Sequence, residues 1–228
     1  MDASIEQQST QENPAFFGGT VAEHVMFVVA LCRFQHHSLG LSLVHYLTWS
    51  IVHMALYAMA LALFGPVGAW VLAAALVAWA LRMDVGVGLL FGLLELLYVL
   101  AVSSLLAALA TPPLTTVLYA LGALVGALIL EGASHVLVQG YPPGPPARAA
   151  ADLSVRQKLA FLPYFVVVFG LFFLTLDLAM RLGGHRSSEH RRANAIAARW
   201  HREAVEREQG AADSRELVWH RKAISELS

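Results

Sequence analysis

Residues 114–143 read LTTVLYALGALVGALILEGASHVLVQGYPP. Up to position 138 this stretch carries a single formal charge, on Glu131, and it exceeds the length of about 20 apolar residues that a helix needs to span a bilayer. His135 and Gln139 follow at i+4 and i+8 from Glu131, so all three share one helical face. We therefore predict a membrane-spanning helix with a polar stripe at its end, closed by the prolines that follow Gly140.

The composition of the whole chain supports the same fold class. Of its 228 residues, 57% are hydrophobic and 14% are charged, whereas an ordinary soluble domain is about a quarter charged. Cys32 is the single cysteine, which excludes an internal disulfide and an all-cysteine metal site. We predict an all-α integral membrane protein surrounded by lipid, with no nucleic-acid partner. Between positions 41 and 140 the formal charges are Arg82, Asp84, Glu95 and Glu131.

Helix-breaking residues divide the apolar region into segments. Gly65-Pro66, residues 82–84 and Pro112-Pro113 punctuate it. They predict four to five transmembrane helices in a multi-pass arrangement. The predicted spans cover roughly residues 43–64, 67–82, 86–110, 114–138 and 159–182.

The ends of the chain have a different character from the middle. Residues 1–20 predict a disordered polar lead, 21–182 a membrane domain and 183–228 a polar tail. The apolar stretch 21–34 is too short to span a bilayer, so an amphipathic helix at the membrane interface is expected. The tail predicts two amphipathic helices separated near Gly210, with a possible protein partner for this region. The first tail helix carries its apolar residues at helical spacing: Ala193, Ile196, Ala197, Trp200, Ala204 and Val205.

Counting crossings places two groups of polar residues on one membrane face. With four crossings between them, His45 and His135 lie on the same side. This face carries four basic residues and the tail carries nine between Arg186 and Lys222, so each is expected to be cytoplasmic. If the fifth segment crosses the membrane once, it places this face and the tail on opposite sides of the membrane. Either the fifth segment is re-entrant at Pro163, or the number of crossings is wrong by one.

Several histidines lie at or inside the membrane segments. An ionisable side chain there is costly and is a candidate functional group, and histidine is a common ligand of transition metals. His53 lies about 12 Å deeper than His45 along the helix, so packing or a substrate contact is expected for it. Surface positions are expected for His185, His190, His201 and His220 in the tail. The predicted metal ligands are His36, His37, His45 and His135.

Two carboxylates accompany these histidines. Glu131 lies four residues before His135 and is predicted to accept a hydrogen bond from the imidazole of His135, which would fix the tautomer of that ring. Glu95, in the middle of the third segment, is predicted to line a substrate cavity or to hold two helices together by hydrogen bonding.

Two motifs resemble those of the 2-hydroxy fatty acid dioxygenase family. QHHSLGLSLVH at 35–45 matches an aromatic-His-Asn…His pattern through His36 and His45, with Leu41 in place of asparagine. EGASHVLVQGYPP at 131–143 matches a Gln…Gly-His…Glu…Pro pattern through His135, with the acid and amide exchanged between positions 131 and 139. The following apolar segment, 159–174, has a proline at position 163, as in the family.

This resemblance implies a membrane-bound enzyme that uses Fe(II) and O2 to shorten 2-hydroxy fatty acids by one carbon. It implies that His36 or His37, His45 and His135 hold iron, while Glu131 and Gln139 support the metal or orient the substrate. Two other classes stay open: a non-catalytic scaffold that works through its tail, and a haem protein with His45 or His53 as ligand. HxxHH, HExxH, GxSxG and Walker A motifs are absent from the sequence.

Overall fold

The computed structural model describes residues 20–35, 39–139, 170–184, 187–207 and 215–227. Every regular element in these ranges is helical, which confirms the all-α prediction. The elements are α1 (Val21–Gln35), α2 (Leu39–Met83), α3 (Val85–Leu109), α4 (Pro113–Ser134) with a π-helical turn (His135–Gln139), α5 (Gly170–Gly183), α6 (Ser187–Arg207) and α7 (Arg215–Leu227).

Three helices are long and apolar enough to cross a membrane: Leu39–Met83, Val85–Leu109 and Pro113–Leu137. Large apolar side chains point outward along them, such as Leu47 at 66% exposure and Leu114 at 72%. Water would make such a surface unfavourable, whereas lipid solvates it. The protein is therefore membrane-like in its architecture, while the number of crossings remains a prediction.

Helix α2 is bent sharply at Gly65, where the sequence predicted a break. Gly65 adopts φ 68° and ψ −168°, a backbone conformation that is essentially restricted to glycine. Pro66 follows and has no N–H to donate to the preceding turn. Tyr57 from the first half of α2, Ala69 from the second half and Val99 from α3 share one apolar core.

The boundary between α2 and α3 lies at Asp84. Its carboxylate accepts a hydrogen bond from the backbone N–H of Val87 at 2.9 Å, and its own φ of −155° is extended. Asp84 is thus the N-cap of α3. Nearby, a Cβ on Gly88 would lie 2.8 Å from the backbone of Leu81, so this glycine allows the two helices to approach closely. The predicted breaks at 82–84 and at Pro112-Pro113 are both confirmed.

The described residues form two compact units. The membrane unit contains Leu43–Ala133 and the described part of Arg156–Thr175. In it, Phe172 packs edge-on against Trp79 and Phe91, at centroid separations of 5.2 and 5.7 Å. Of the predicted fifth span, only residues 170–182 lie within the described part of the chain, and they are helical.

The second unit contains α1, the first residues of α2, the described part of Ser134–Val155, the end of α5, α6 and α7. Most of α1 is buried: Val28 is 0% exposed and Leu31 is 3% exposed. It packs against α6, whose apolar stripe includes Ala197 and Trp200, as predicted. The middle of α1 is therefore covered by protein on every side instead of having the polar face of an amphipathic helix, and its position at a membrane interface stays a prediction.

An ion cluster lies inside this second unit. Asp177 of α5 accepts from Arg33 Nε at 2.8 Å and from Arg181 Nε at 2.9 Å, and Arg33 also contacts His190 of α6. Burial lowers the pKa of Arg33 to about 10, although the charge of Asp177 opposes that shift. Burial and then the charge of Arg33 lower the pKa of His190 to about 4, so its imidazole is neutral at pH 7.

Candidate metal centre

The first half of α2 and the end of α4 bring two predicted site residues together. His45 of α2 is 0% exposed, and its Nδ1 forms an ion pair with Oε2 of Glu131 on α4. The side chain of Glu131 is 12% exposed. The sequence predicted the imidazole of His135 as the partner of Glu131, and the structure shows a partner on another helix, His45.

Two further side chains of α2 hold the Glu131 carboxylate. The hydroxyl of Thr48 lies 2.7 Å from Oε2, and the indole N–H of Trp49 donates to Oε1 at 3.3 Å. The same hydroxyl lies 2.9 Å from the carbonyl oxygen of His45. The Thr48 hydroxyl has one proton to donate. Of its two contacts, the one to the Glu131 carboxylate is shorter and has a charged acceptor, so it is the stronger hydrogen bond. Both carboxylate oxygens are therefore oriented by α2.

His135 completes a group with these two residues. Helix α4 continues into the π-helical turn at His135, one turn beyond Glu131, and His135 is 3% exposed. Ligand atoms of His45, Glu131 and His135 all lie within 4.8 Å of one another. A π-helical turn is rare and is often found at functional sites.

The donor set fits a transition-metal ion. Two imidazole nitrogens and one carboxylate oxygen suit Fe, Zn or other borderline metals. Ligand atoms that bind one ion at about 2.0–2.2 Å are roughly 3–4 Å from one another. A small movement of these three side chains toward one another would therefore form a metal site. The buried His45/Glu131/His135 group can hold a metal ion, and its geometry does not determine which metal.

The remaining predicted site residues are His36, His37 and Gln139. His36 and His37 lie outside the described residues. Gln139 is the last residue of the π-helical turn, and only its backbone is described. Sequence reasoning missed Thr48 and Trp49 as carboxylate partners, although the i, i+4 spacing of His45 and Trp49 was a usable signal.

A second group of ionisable residues lies two turns further along α2. His53 Nδ1 is 2.8 Å from Oε1 of Glu95, and the hydroxyl of Tyr57 donates to Oε2 of the same carboxylate. His53 is 1% exposed, and Glu95 and Tyr57 are both 0% exposed. Glu95 on α3 therefore binds two residues of α2, which confirms that it holds two helices together by hydrogen bonding.

Two of the four tail histidines, His201 and His220, are buried, so their predicted surface positions were wrong. His201 is 0% exposed and His220 is 2% exposed. Their Nδ1 atoms are 2.8 Å apart, and the ring of His201 stacks on Phe34 at a centroid separation of 4.3 Å. These two histidines belong to the core of the second unit, because α6 and α7 pack against each other there. His190 is half-buried, and His185 lies outside the described residues.

Comparisons with known proteins identify no relative of this chain. No family model, no curated protein and no solved structure matches it.

Proposed function

We propose that this protein is a membrane-bound Fe(II)-dependent dioxygenase that acts on 2-hydroxy fatty acids. The observation that carries the proposal is the convergence of His45, Glu131 and His135, with all ligand atoms within 4.8 Å. Two histidines and one carboxylate, with further positions open, are the ligand set typical of non-haem Fe(II) oxygenases. The two sequence motifs that resemble the 2-hydroxy fatty acid dioxygenase family contain the same three residues.

In this proposal the protein supplies the iron ligands and their support. His45, Glu131 and His135 would hold Fe(II). When bound, iron would supply the activation of O2. Thr48 and Trp49 fix both oxygens of the Glu131 carboxylate, so the ligand is already oriented before iron binds. Preorganised support of this kind usually contributes 10–100-fold to metal affinity or activity.

The surroundings of the group suit an amphiphilic substrate. Immediately after His135, Val136 is 51% exposed and Leu137 is 82% exposed, and both lie at the end of a helix long enough to cross a membrane. A carboxylate and a 2-hydroxyl would approach the polar residues, while an acyl chain would remain beside the apolar surface. Gln139, at the end of the π-helical turn, is proposed to orient the polar head of the substrate.

Metal analysis of purified protein tests this proposal first. We expect about one iron per chain, no Soret band, and consumption of a 2-hydroxy fatty acid with O2. His45→Ala, His135→Ala and Glu131→Gln should each lose iron and turnover. Glu206→Gln is the matched control for the carboxylate, because Glu206 is exposed on α6, and it should retain both properties.

Three outcomes would contradict the proposal. A Soret band would indicate a haem protein instead, and the absence of any bound metal would favour a scaffold. Retained iron and turnover in His135→Ala would remove the observation on which the proposal rests. Thermal unfolding of each variant should accompany these assays, so that loss of iron is distinguished from loss of the fold.

A further inference from the structure

The group formed by His53, Tyr57 and Glu95 has an unusual position for three ionisable side chains. All three are at most 1% exposed, and they lie within two helices that are long and apolar enough to cross a membrane. Ionisable groups at such positions are costly, and in membrane proteins they often form proton pathways. The metal centre does not use them, since His53 is eight residues from His45.

The geometry defines how a proton is held between two of these residues. Nδ1 of His53 and Oε1 of Glu95 are 2.8 Å apart, which is a normal separation for a shared proton. With one proton between them, the pair is either a neutral acid with a neutral imidazole or a carboxylate with an imidazolium. Both forms have zero net charge, which a low-dielectric environment favours.

The remaining polar atoms of this group are the hydroxyl of Tyr57 on one side of the pair and Nε2 of His53 on the other. The hydroxyl of Tyr57 donates to Oε2 of Glu95, which stabilises the carboxylate. In the part of the chain that the structure describes, Nε2 of His53 is buried without a hydrogen-bond partner. An imidazole that receives a proton at Nδ1 can release one from Nε2.

Other titratable groups approach from the neighbouring helices. Tyr98 lies three residues after Glu95 on α3, and its hydroxyl is 2.8 Å from Oγ of Ser50 on α2. Tyr46 of α2 makes a hydrogen bond to Tyr98. Helix α5 contributes the uncharged ring of Phe172, which packs on Phe91, the ring that meets His53 edge-on.

We propose that His53, Glu95 and Tyr57 form a proton-binding site inside the membrane-spanning helices, separate from the metal centre. The carboxylic acid of Glu95 gives its proton to Nδ1 of His53, which produces a carboxylate and an imidazolium without a change in net charge. Transfer of the Nε2 proton to a water molecule then leaves a carboxylate beside a neutral imidazole, so the site releases one proton as hydronium and gains one negative charge. The hydroxyl of Tyr57 stabilises that carboxylate.

Infrared spectroscopy on metal-free protein in lipid nanodiscs tests this assignment without reference to iron or turnover. A protonated carboxyl has a C=O stretch that a carboxylate lacks. We expect such a band in the wild-type protein, with an intensity that falls as the pH is raised across the range in which the protein is folded. Glu95→Gln should remove the band and its pH dependence, while Glu131→Gln should leave both in place.

Two further variants separate proton binding from a fixed helix clamp. Tyr57→Phe keeps the ionisable pair and removes one hydrogen bond, so the band should persist at a shifted frequency. His53→Gln should change the pH at which the band is lost. A Glu95 band whose intensity is the same at every pH, or the absence of a Glu95 band at every pH, would overturn the proposal. If Glu95→Gln does not fold, the frequency shift in Tyr57→Phe and the changed pH dependence in His53→Gln still assign the band to this group.

Discussion

Replacing Thr48 with valine removes a hydroxyl from the proposed metal centre and changes the shape of the side chain little. Position 48 is 2% exposed, so the packing is conserved. The hydroxyl contacts that are lost are the 2.7 Å hydrogen bond to Glu131 Oε2 and the 2.9 Å contact with the carbonyl oxygen of His45. A hydrogen bond to a charged group contributes about 1.5–3 kcal/mol, which corresponds to roughly 10–150-fold in an equilibrium constant.

We therefore expect Thr48→Val to weaken Fe(II) binding by about 10–100-fold, in line with the usual effect of removing support from a metal ligand. Trp49→Phe removes a longer bond, at 3.3 Å, and should weaken binding by a smaller factor. Titration of metal-free protein with Fe(II) under anaerobic conditions measures both constants. Thr116→Val is the matched control, because this threonine is also buried and its hydroxyl donates to the backbone of Pro112 at 3.2 Å.

The order of the three affinities tests the reasoning. An unchanged affinity in Thr48→Val, together with complete loss of iron in Glu131→Gln, would show that the carboxylate binds without support from α2. A larger effect in Trp49→Phe than in Thr48→Val would refute the use of hydrogen-bond length to rank the two contacts.

Three other perturbations test the fold, each by thermal unfolding of the protein in nanodiscs. Gly65→Ala places a side chain at φ 68° and ψ −168° and should lower the free energy of unfolding by about 1–3 kcal/mol. Gly122→Ala is the control, because its added Cβ meets no atom within 4 Å, and it should not destabilise the protein. Equal effects of the two substitutions would contradict the bend at position 65. Gly170→Ala puts a Cβ 2.1 Å from the ring of Trp49 and should cost about 1–3 kcal/mol through overpacking; an unchanged midpoint would refute that close contact. Because the pKa of His190 falls from 6.5 to about 4 on folding, the unfolded chain binds this proton more readily, so stability should fall as the pH is lowered from about 6.5 to 4. His190→Gln should remove that part of the pH dependence, and an unchanged profile would contradict burial of this imidazole.

Local signals in the sequence were sufficient to place the helix ends. Gly65 needs a conformation that other residues avoid, Asp84 caps a helix through its side chain, and Pro113 begins one. These effects act within a few residues, so they can be predicted without knowledge of the tertiary structure. The helix bounds agree with the predicted spans within a few residues for α3 and α4.

The environment of the second unit was harder to predict, although part of the signal was present. Val25 to Leu31 contains no polar residue, which indicates a helix buried on every side. His201 lies four residues after Ala197 and three before Ala204, so it belongs to the apolar stripe of α6. The charged residues next to His201 in the sequence suggested that this histidine is solvated. Residues adjacent in the sequence lie on different faces of a helix, however, so they do not indicate the environment of His201.

Contacts between helices far apart in the sequence could not be predicted in this way. The partner of His45 is Glu131, which is 86 residues away, and only the packing of α2 against α4 brings them together. Helical spacing identified Glu131 and His135 as neighbours on one face, but it could not show that a histidine of α2 joins them. For the same reason, Thr48 was not identified as a partner of the carboxylate.

The two buried carboxylates have related surroundings, and the differences between them suggest different roles. Each pairs with Nδ1 of a histidine of α2 and accepts a hydrogen bond from the aromatic residue four positions later: Glu131 pairs with His45 and Trp49, and Glu95 with His53 and Tyr57. Glu131 is 12% exposed and has a second histidine within its ligand group. Glu95 is 0% exposed, and among the described residues it belongs to no comparable group of three ligands. A metal ion and a substrate need an accessible site and several ligands, whereas a proton needs one donor and one acceptor. The repeated pattern along α2 therefore fits a metal centre at the end of the helix and a proton site deeper within it.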